Sequence, residues 1–192
     1  MFIEPTILSL LIAKLRGGQF KNLENIYIRG WFLLIVAGII QGSLSLVKKL
    51  DTQWGNNLIS NYLIYVIIIS YGLLIITVAL NIKKNYMKIF LIGIILNFIV
   101  IVGNGGQMPV SLEGVKGIHT ETTLPERGFD IKHRAVTKDT VFVYLADIIL
   151  IPRPYPLLKI LSIGDVFLIL GMFVFFQEEM LLHKKKPISQ VS

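Results

Sequence analysis

The chain contains no cysteine. Disulfide frameworks, thiolate metal sites and cysteine nucleophiles are therefore excluded. Charge is scarce as well: 16% of the 192 residues are Asp, Glu, Lys or Arg, against about a quarter in an ordinary soluble domain. Apolar residues take their place, at 54% of the chain, and the mean hydropathy is +0.68. The excess falls in blocks, and apolar blocks of about 18 or more residues read as membrane spans. The net charge of +7 is assigned to Lys and Arg flanking those spans. No nucleic-acid partner is expected, because no basic face interleaved with exposed aromatics is present.

Five apolar segments are expected to span the bilayer, at about residues 2–15, 30–47, 58–80, 89–103 and 157–176. The fold class is thus all-α membrane, a five-span helical bundle forming one integral membrane domain over residues 1–192. The first segment, "MFIEPTILSLLIA", has Glu4 before it and Lys14 and Arg16 after it, the reverse of a cleaved signal peptide. Its about 15 residues reach roughly 22 Å, short of a 30 Å hydrocarbon core, so an interfacial helix is the alternative. Gly38 and Gly42 form a small-xxx-small pair suited to close helix approach. Residues 104–156 form an outer loop expected to hold short strands and a half-buried re-entrant segment. "TVFVYLADIILIP" is too short to cross, and Pro152, Pro154 and Pro156 break the chain after it. Orientation follows from the bases. Ten of the nineteen (Lys14, Arg16, Lys21, Arg29, Lys83, Lys84, Lys88 and Lys184 to Lys186) fall on short segments of one side. The other nine are diluted by Glu113, Glu121, Glu126, Asp130 and Asp139. The N-terminus is expected outside and the C-terminus in the cytoplasm.

Within "LADIILIPRPYPLLKILSIGDVFLILG", Asp147 and Asp165 stand eighteen residues apart. A buried acid in a span costs a few kcal/mol and faces the bundle interior or a wet cavity. Asp165 is expected about nine residues past Pro156, roughly 12 Å into the last helix, with Ser162 on the same face and Gly164 and Gly171 on a flat packing face. Two carboxylates in contact share a proton, which suits one of them to activate water while its protonated partner polarises a carbonyl. The alternatives are structural: Asp165 bonding a neighbouring helix, Asp147 capping a helix or pairing with Arg153. Asn104, among Gly103, Gly105 and Gly106, either orients a carboxylate or substrate carbonyl or marks a glycine-rich helix stop. His119, Glu121, Asp130 and His133 lack metal-ligand spacing. His133 with Thr137, Asp139 and Thr140 is expected to organise turns. No metal and no cofactor are expected.

"GNGG" at 103–106, "LADII" at 145–149 and "SIGDVFLILG" at 162–171 together resemble elements of the prolipoprotein signal peptidases, bacterial membrane aspartyl peptidases. The resemblance implies that Asp147 and Asp165 are the two catalytic aspartates, Asn104 the polar asparagine and Gly171 the glycine closing the last element; Asn104, Gly105, Gly106 and Ser162 are expected to bind substrate or support the acids. "GGQMPV" stands where that family has Asp-Arg after the asparagine. The whole chain is also similar to an uncharacterised family of bacterial multi-pass proteins. It shares the glycine pair after the first segment, "NGGQMPV", the His133–Thr140 pattern and the paired "LAD" and "SIGD" elements. The expected function is a membrane-embedded aspartyl peptidase-like protein of the bacterial inner membrane. Its substrates would be lipid-anchored or transmembrane peptides near the outer face, with membrane lipid as a further partner. The alternative is a non-catalytic integral membrane protein, a lipid-binding or assembly subunit, using the acids structurally.

Overall fold

The computed structural model describes residues 2–50, 52–111, 131–151 and 159–181. Helix α1 (Ile3–Leu15) is followed by a 3-10 turn at Phe20–Asn25, then by α2 (Trp31–Leu50), α3 (Gln53–Leu80) and α4 (Asn85–Gly103). A strand-and-turn layer follows: β1 (Met108–Val110), β2 (His133–Ala135), a 3-10 turn at Val143–Leu145, β3 (Ile149–Ile151) and β4 (Lys159–Leu161). Helix α5 (Ile163–Leu181) is the last described element.

Among the described residues, α2, α3 and α4 are long and apolar enough to cross a membrane. The other two expected spans fall short on that measure. Helix α1 has 13 residues, about 20 Å of rise. It lies parallel to the C-terminal half of α5, where Arg16 donates to Gln177 and the Gln177 amide donates to the Ser9 carbonyl. Helix α5 is long enough but carries Asp165, Glu178 and Glu179. The two tryptophans mark opposite ends of the α2–α3 hairpin. Trp31 opens α2, Trp54 opens α3, and both are exposed, as suits rings seated at the two membrane interfaces. Helix α3 starts at Gln53, a turn before the expected 58, because the Thr52 hydroxyl caps it by accepting from the Gly55 N–H at 3.2 Å.

Two glycine pairs stop helices by the same device. Gly105 and Gly106 sit at φ +71° and +91°, and their N–H groups return to the carbonyls of Val102 and Ile101 at 3.2 and 2.9 Å, a Schellman closure of α4. Gly17 and Gly18 close α1 likewise, onto Lys14 and Ala13. The expected close approach at Gly38 and Gly42 does not occur: a Cβ there would meet nothing within 4 Å. Helix α2 instead packs through Ala37, Gln41 and Leu44, with Gln41 donating to Ser70 of α3. Glycine serves close approach at the α4–α5 crossing. A Cβ on Gly93 would lie 2.7 Å from the Gly164 carbonyl, and one on Gly164 would collide with the Asn97 side chain. Gly171 lies flat against the Phe90 ring.

The strand layer covers the bundle end formed by the C-terminus of α4 and the N-terminus of α3. Met108 and Ile131 join Leu44, Leu63, Ile67, Val100 and Ile101 in one apolar cluster. β1 and β2 are parallel, with Met108 opposite His133; β3 and β4 are antiparallel, with Ile149 opposite Leu161. The segment expected to dip and return makes a 3-10 turn at Val143–Leu145 and then runs extended from Asp147 into β3. Asp147 N–H donates to the Pro109 carbonyl and Ser111 N–H to the Asp147 carbonyl, both at 2.9 Å. The last helix likewise starts later than the expected 157, since 159–161 is strand held by β3. Gly164→Ala is expected to lower stability by about 1–3 kcal/mol through overpacking, whereas Gly38→Ala should cause no loss; thermal unfolding in detergent measures both.

Candidate functional site: a pair of buried acids

The acid expected mid-helix lies in the first turn of α5. Ser162 is its N-cap: the Ser162 hydroxyl accepts from the Asp165 N–H at 2.9 Å, and Asp165 Oδ2 accepts from the Ser162 N–H at 3.1 Å. This is a capping box with aspartate in the reciprocating position. The second oxygen is occupied as well, since Asn97 Nδ2 of α4 donates to Asp165 Oδ1 at 3.0 Å. Asn97 closes the ring by accepting from the Ser162 hydroxyl at 2.9 Å. All three side chains are buried. Asp165 therefore does bond a neighbouring helix, and it caps its own.

Asp147 is held differently. Its backbone pairs beside β1 through Val110, which fixes its position in the strand layer, outside the membrane-crossing helices. Its side chain is 9% exposed; Oδ2 lies 3.9 Å from His133 Nε2, and Oδ1 is buried with no hydrogen-bond partner among the described residues. Burial pushes the Asp147 carboxyl up to about 7, with the charge of Asp165 adding to the effect. The two acids thus interact electrostatically. Tyr71 of α3, stacked on Phe98, lies within electrostatic reach of both.

The remaining expected residues divide. Ser162 belongs to the acid site through its bonds to Asp165. Asn104 is a latch: Nδ2 donates to the carbonyls of Val100 and Val141, while Oδ1 accepts from Arg134 and the Val141 N–H. Its amide is saturated by these four bonds, none of which goes to an acid. Gly105 and Gly106 shape the turn that aims Asn104. Thr137 and Thr140 organise a turn, as expected, with the Thr140 hydroxyl accepting from the Thr137 N–H at 2.8 Å. His119, Glu121, Asp130 and Arg153 lie outside the described residues, so the expectations resting on them do too. Among the described residues, no three His, Asp or Glu side chains gather as a metal site.

Sequence reasoning missed Asn97 and Tyr71. Asn97 had a visible signal, being the one polar side chain in the fifteen-residue run "IFLIGIILNFIVIVG", where a polar group must find a partner. Tyr71 had none.

Residues 25–177 match the sequence profile of a family of unknown function, DUF5317. The chain belongs to that family. The matched stretch of DUF5317 holds Tyr71, Asn97, Asn104, His133, Asp147, Ser162 and Asp165 and leaves out α1. An uncharacterized protein of Thermotoga maritima is 26% identical over 176 residues, covering 92% of this chain and 90% of that protein. No solved structure matches.

A carboxyl that folding pushes up to about 7 binds a proton in the folded state that the unfolded chain releases near pH 4. Folding stability therefore declines as pH rises from about 4 to about 7. Asp147→Asn removes this decline. The variant should match the parent below pH 4 and exceed it by up to about 4 kcal/mol at pH 8, as measured by denaturant titration across pH. Asn97→Ala leaves Ser162 and Asp165 each short of a partner and should cost about 1–3 kcal/mol in the same assay.

Proposed function

We propose that this DUF5317 protein is a membrane-embedded aspartyl peptidase-like hydrolase, cleaving lipid-anchored or transmembrane peptides near the outer membrane face. The observation that carries the reading is Asp147, a buried carboxyl with one oxygen unpartnered among the described residues and a pKa raised to about 7 by burial and by Asp165. Environments that drive two neighbouring acids apart in protonation divide the labour of acid–base catalysis between them. Protonated Asp147 donates to the scissile carbonyl oxygen while Asp165 takes a proton from the attacking water. The hydroxide adds to the carbonyl carbon to give a gem-diol; the proton on Asp165 passes to the leaving nitrogen, the C–N bond breaks, and one hydroxyl returns its proton to Asp147 as the C=O bond re-forms. The resemblance of "LADII" and "SIGDVFLILG" to signal peptidase elements supports the same pair. In this reading α1 and α5 complete a five-span bundle in the bacterial inner membrane. The strand layer lies outside, and the base-rich end, with Lys14, Arg16, Lys21, Arg29, Lys83, Lys84 and Lys88, lies in the cytoplasm.

A second reading, a non-catalytic lipid-binding or assembly subunit, is favoured by the capping box, which already uses both oxygens of Asp165. The test is protein reconstituted in vesicles with a diacylglyceryl-modified peptide and, separately, a transmembrane peptide, read by mass spectrometry. The peptidase reading expects cleavage that falls as pH rises through about 7 and a loss of at least about a hundredfold in Asp147→Asn with folded yield unchanged. Cleavage that survives Asp147→Asn, or absent from the parent, sinks it. A drop in folded yield of Asp165→Asn without any parental cleavage supports the structural reading.

A further inference from the structure

The bundle end remote from the acids holds a cavity of about 380 Å³, within the size range of small-ligand sites. Its walls come from all five helices and the turn before α2: Thr6, Ile28, Leu34, Ile94, Met172 and Phe176 are among them. The polar groups on those walls are spent elsewhere. The one Thr6 hydroxyl proton has the Phe2 carbonyl and the Met172 sulfur as acceptors within reach, Thr77 donates to the Leu73 carbonyl, and the Tyr86 hydroxyl to Glu179. A ligand in the cavity finds no hydrogen-bonding group, so the occupant must be a hydrocarbon chain.

The mouth has the opposite character. Asn81 grips the backbone of Arg29 twice, accepting from its N–H at 2.9 Å and donating to its carbonyl at 2.8 Å. This draws Arg29, next to the wall residue Ile28, beside the turn carrying Lys83 and Lys84. Lys84 is committed to Glu179 at 2.9 Å. Arg29 and Lys83 are exposed. Tyr27 and Trp31, both exposed, place the same level at a membrane interface. An apolar chamber inside the bundle, with one exposed cation adjoining its wall residue Ile28 and a second on the turn that Asn81 ties to it, is complementary to a lipid whose headgroup is anionic.

We infer that this cavity binds one acyl chain of an anionic phospholipid, with the phosphate seated at Arg29 and Lys83. The inference is independent of the peptidase reading, since it uses neither acid.

The test is native mass spectrometry of full-length protein, delipidated in detergent and then given dioleoyl phosphatidylglycerol or dioleoyl phosphatidylcholine, which share the same tails. One phosphatidylglycerol per protein should be retained, about tenfold more tightly than phosphatidylcholine. The Arg29→Ala/Lys83→Ala double variant, altered only at exposed positions, should erase that preference while still retaining lipid. Leu34→Trp, which fills the cavity, should abolish retention of both. The inference is overturned by equal retention of the two lipids in the parent, by no stoichiometric retention, or by a folded Leu34→Trp protein that binds as the parent does.

Discussion

Three side chains, Asn97, Ser162 and Asp165, complete one another's hydrogen bonds at the point where α4 meets α5, and much of the structure is arranged around that ring. A polar group left unpaired at such depth costs several kcal/mol, so the ring has to close. It closes only if the two helices nearly touch, and they nearly touch because Gly93 and Gly164 carry no side chain there. The start of α5 follows from the same requirement. Ser162 can cap the helix only as its first flanking residue, so the chain before it is released to pair as β4 with β3. The orientation of Asp165, and with it the charge felt by Asp147, is a consequence of the cap and the crossing together.

Asn81 and Asn104 are saturated in the same manner, whereas Asn22 Oδ1, Arg134 Nε and Asp147 Oδ1 are buried with no hydrogen-bond partner among the described residues. Asn81 joins the end of α3 to the chain entering α2, and Asn104 joins the end of α4 to the segment at Val141, each through bonds to backbone groups. The asparagines act as rivets between segments distant in sequence. Asp147 departs from this rule. Its backbone is fully engaged beside β1, yet one carboxylate oxygen is buried with no partner among the described residues. Of the three groups left short, Asp147 is the one that titrates, and burial raises its affinity for protons.

The helices α2, α3 and α4 were legible from hydropathy because length and apolarity are properties of a segment alone. The partners of a face are not, which is why Gly38 and Gly42 misled: the glycine spacing says that α2 could be approached closely, not that a helix comes to that side. The start of α5 was obscured for a related reason. "PLLKIL" is apolar enough to extend a helix, and only the pairing of 159–161 with 149–151 makes it strand. The capping box was nonetheless written in "SIGD", a serine with an acid three residues on before an apolar run. Reading Asp165 as a membrane-buried acid drew attention away from its simpler local role. The ring partner Asn97 was equally visible as a lone amide in hydrocarbon. That it meets Asp165, and that Tyr71 lies near both acids, depends on how three helices cross, which periodicity does not encode.

The apolar cavity and the acid pair are stacked on the same two helices. Ile94 lines the cavity, and Asn97, three residues further along α4, lies on the same helical face and holds Asp165. On α5, Met172 lines the cavity about two turns below Asp165. The Gly93–Gly164 contact lies beside the Asn97–Asp165 bond at the same crossing and leaves no gap for a side chain. Close-packed surfaces of this kind do not deform gradually; they hold one arrangement or shift together. A lipid chain wedged between α4 and α5 at the cavity would therefore load the crossing that supports the Asn97–Asp165 bond. An empty cavity would leave that crossing held by the hydrogen-bond ring and the glycine contact alone. The end with the apolar cavity and the end that carries the two acids thus meet at the α4–α5 crossing.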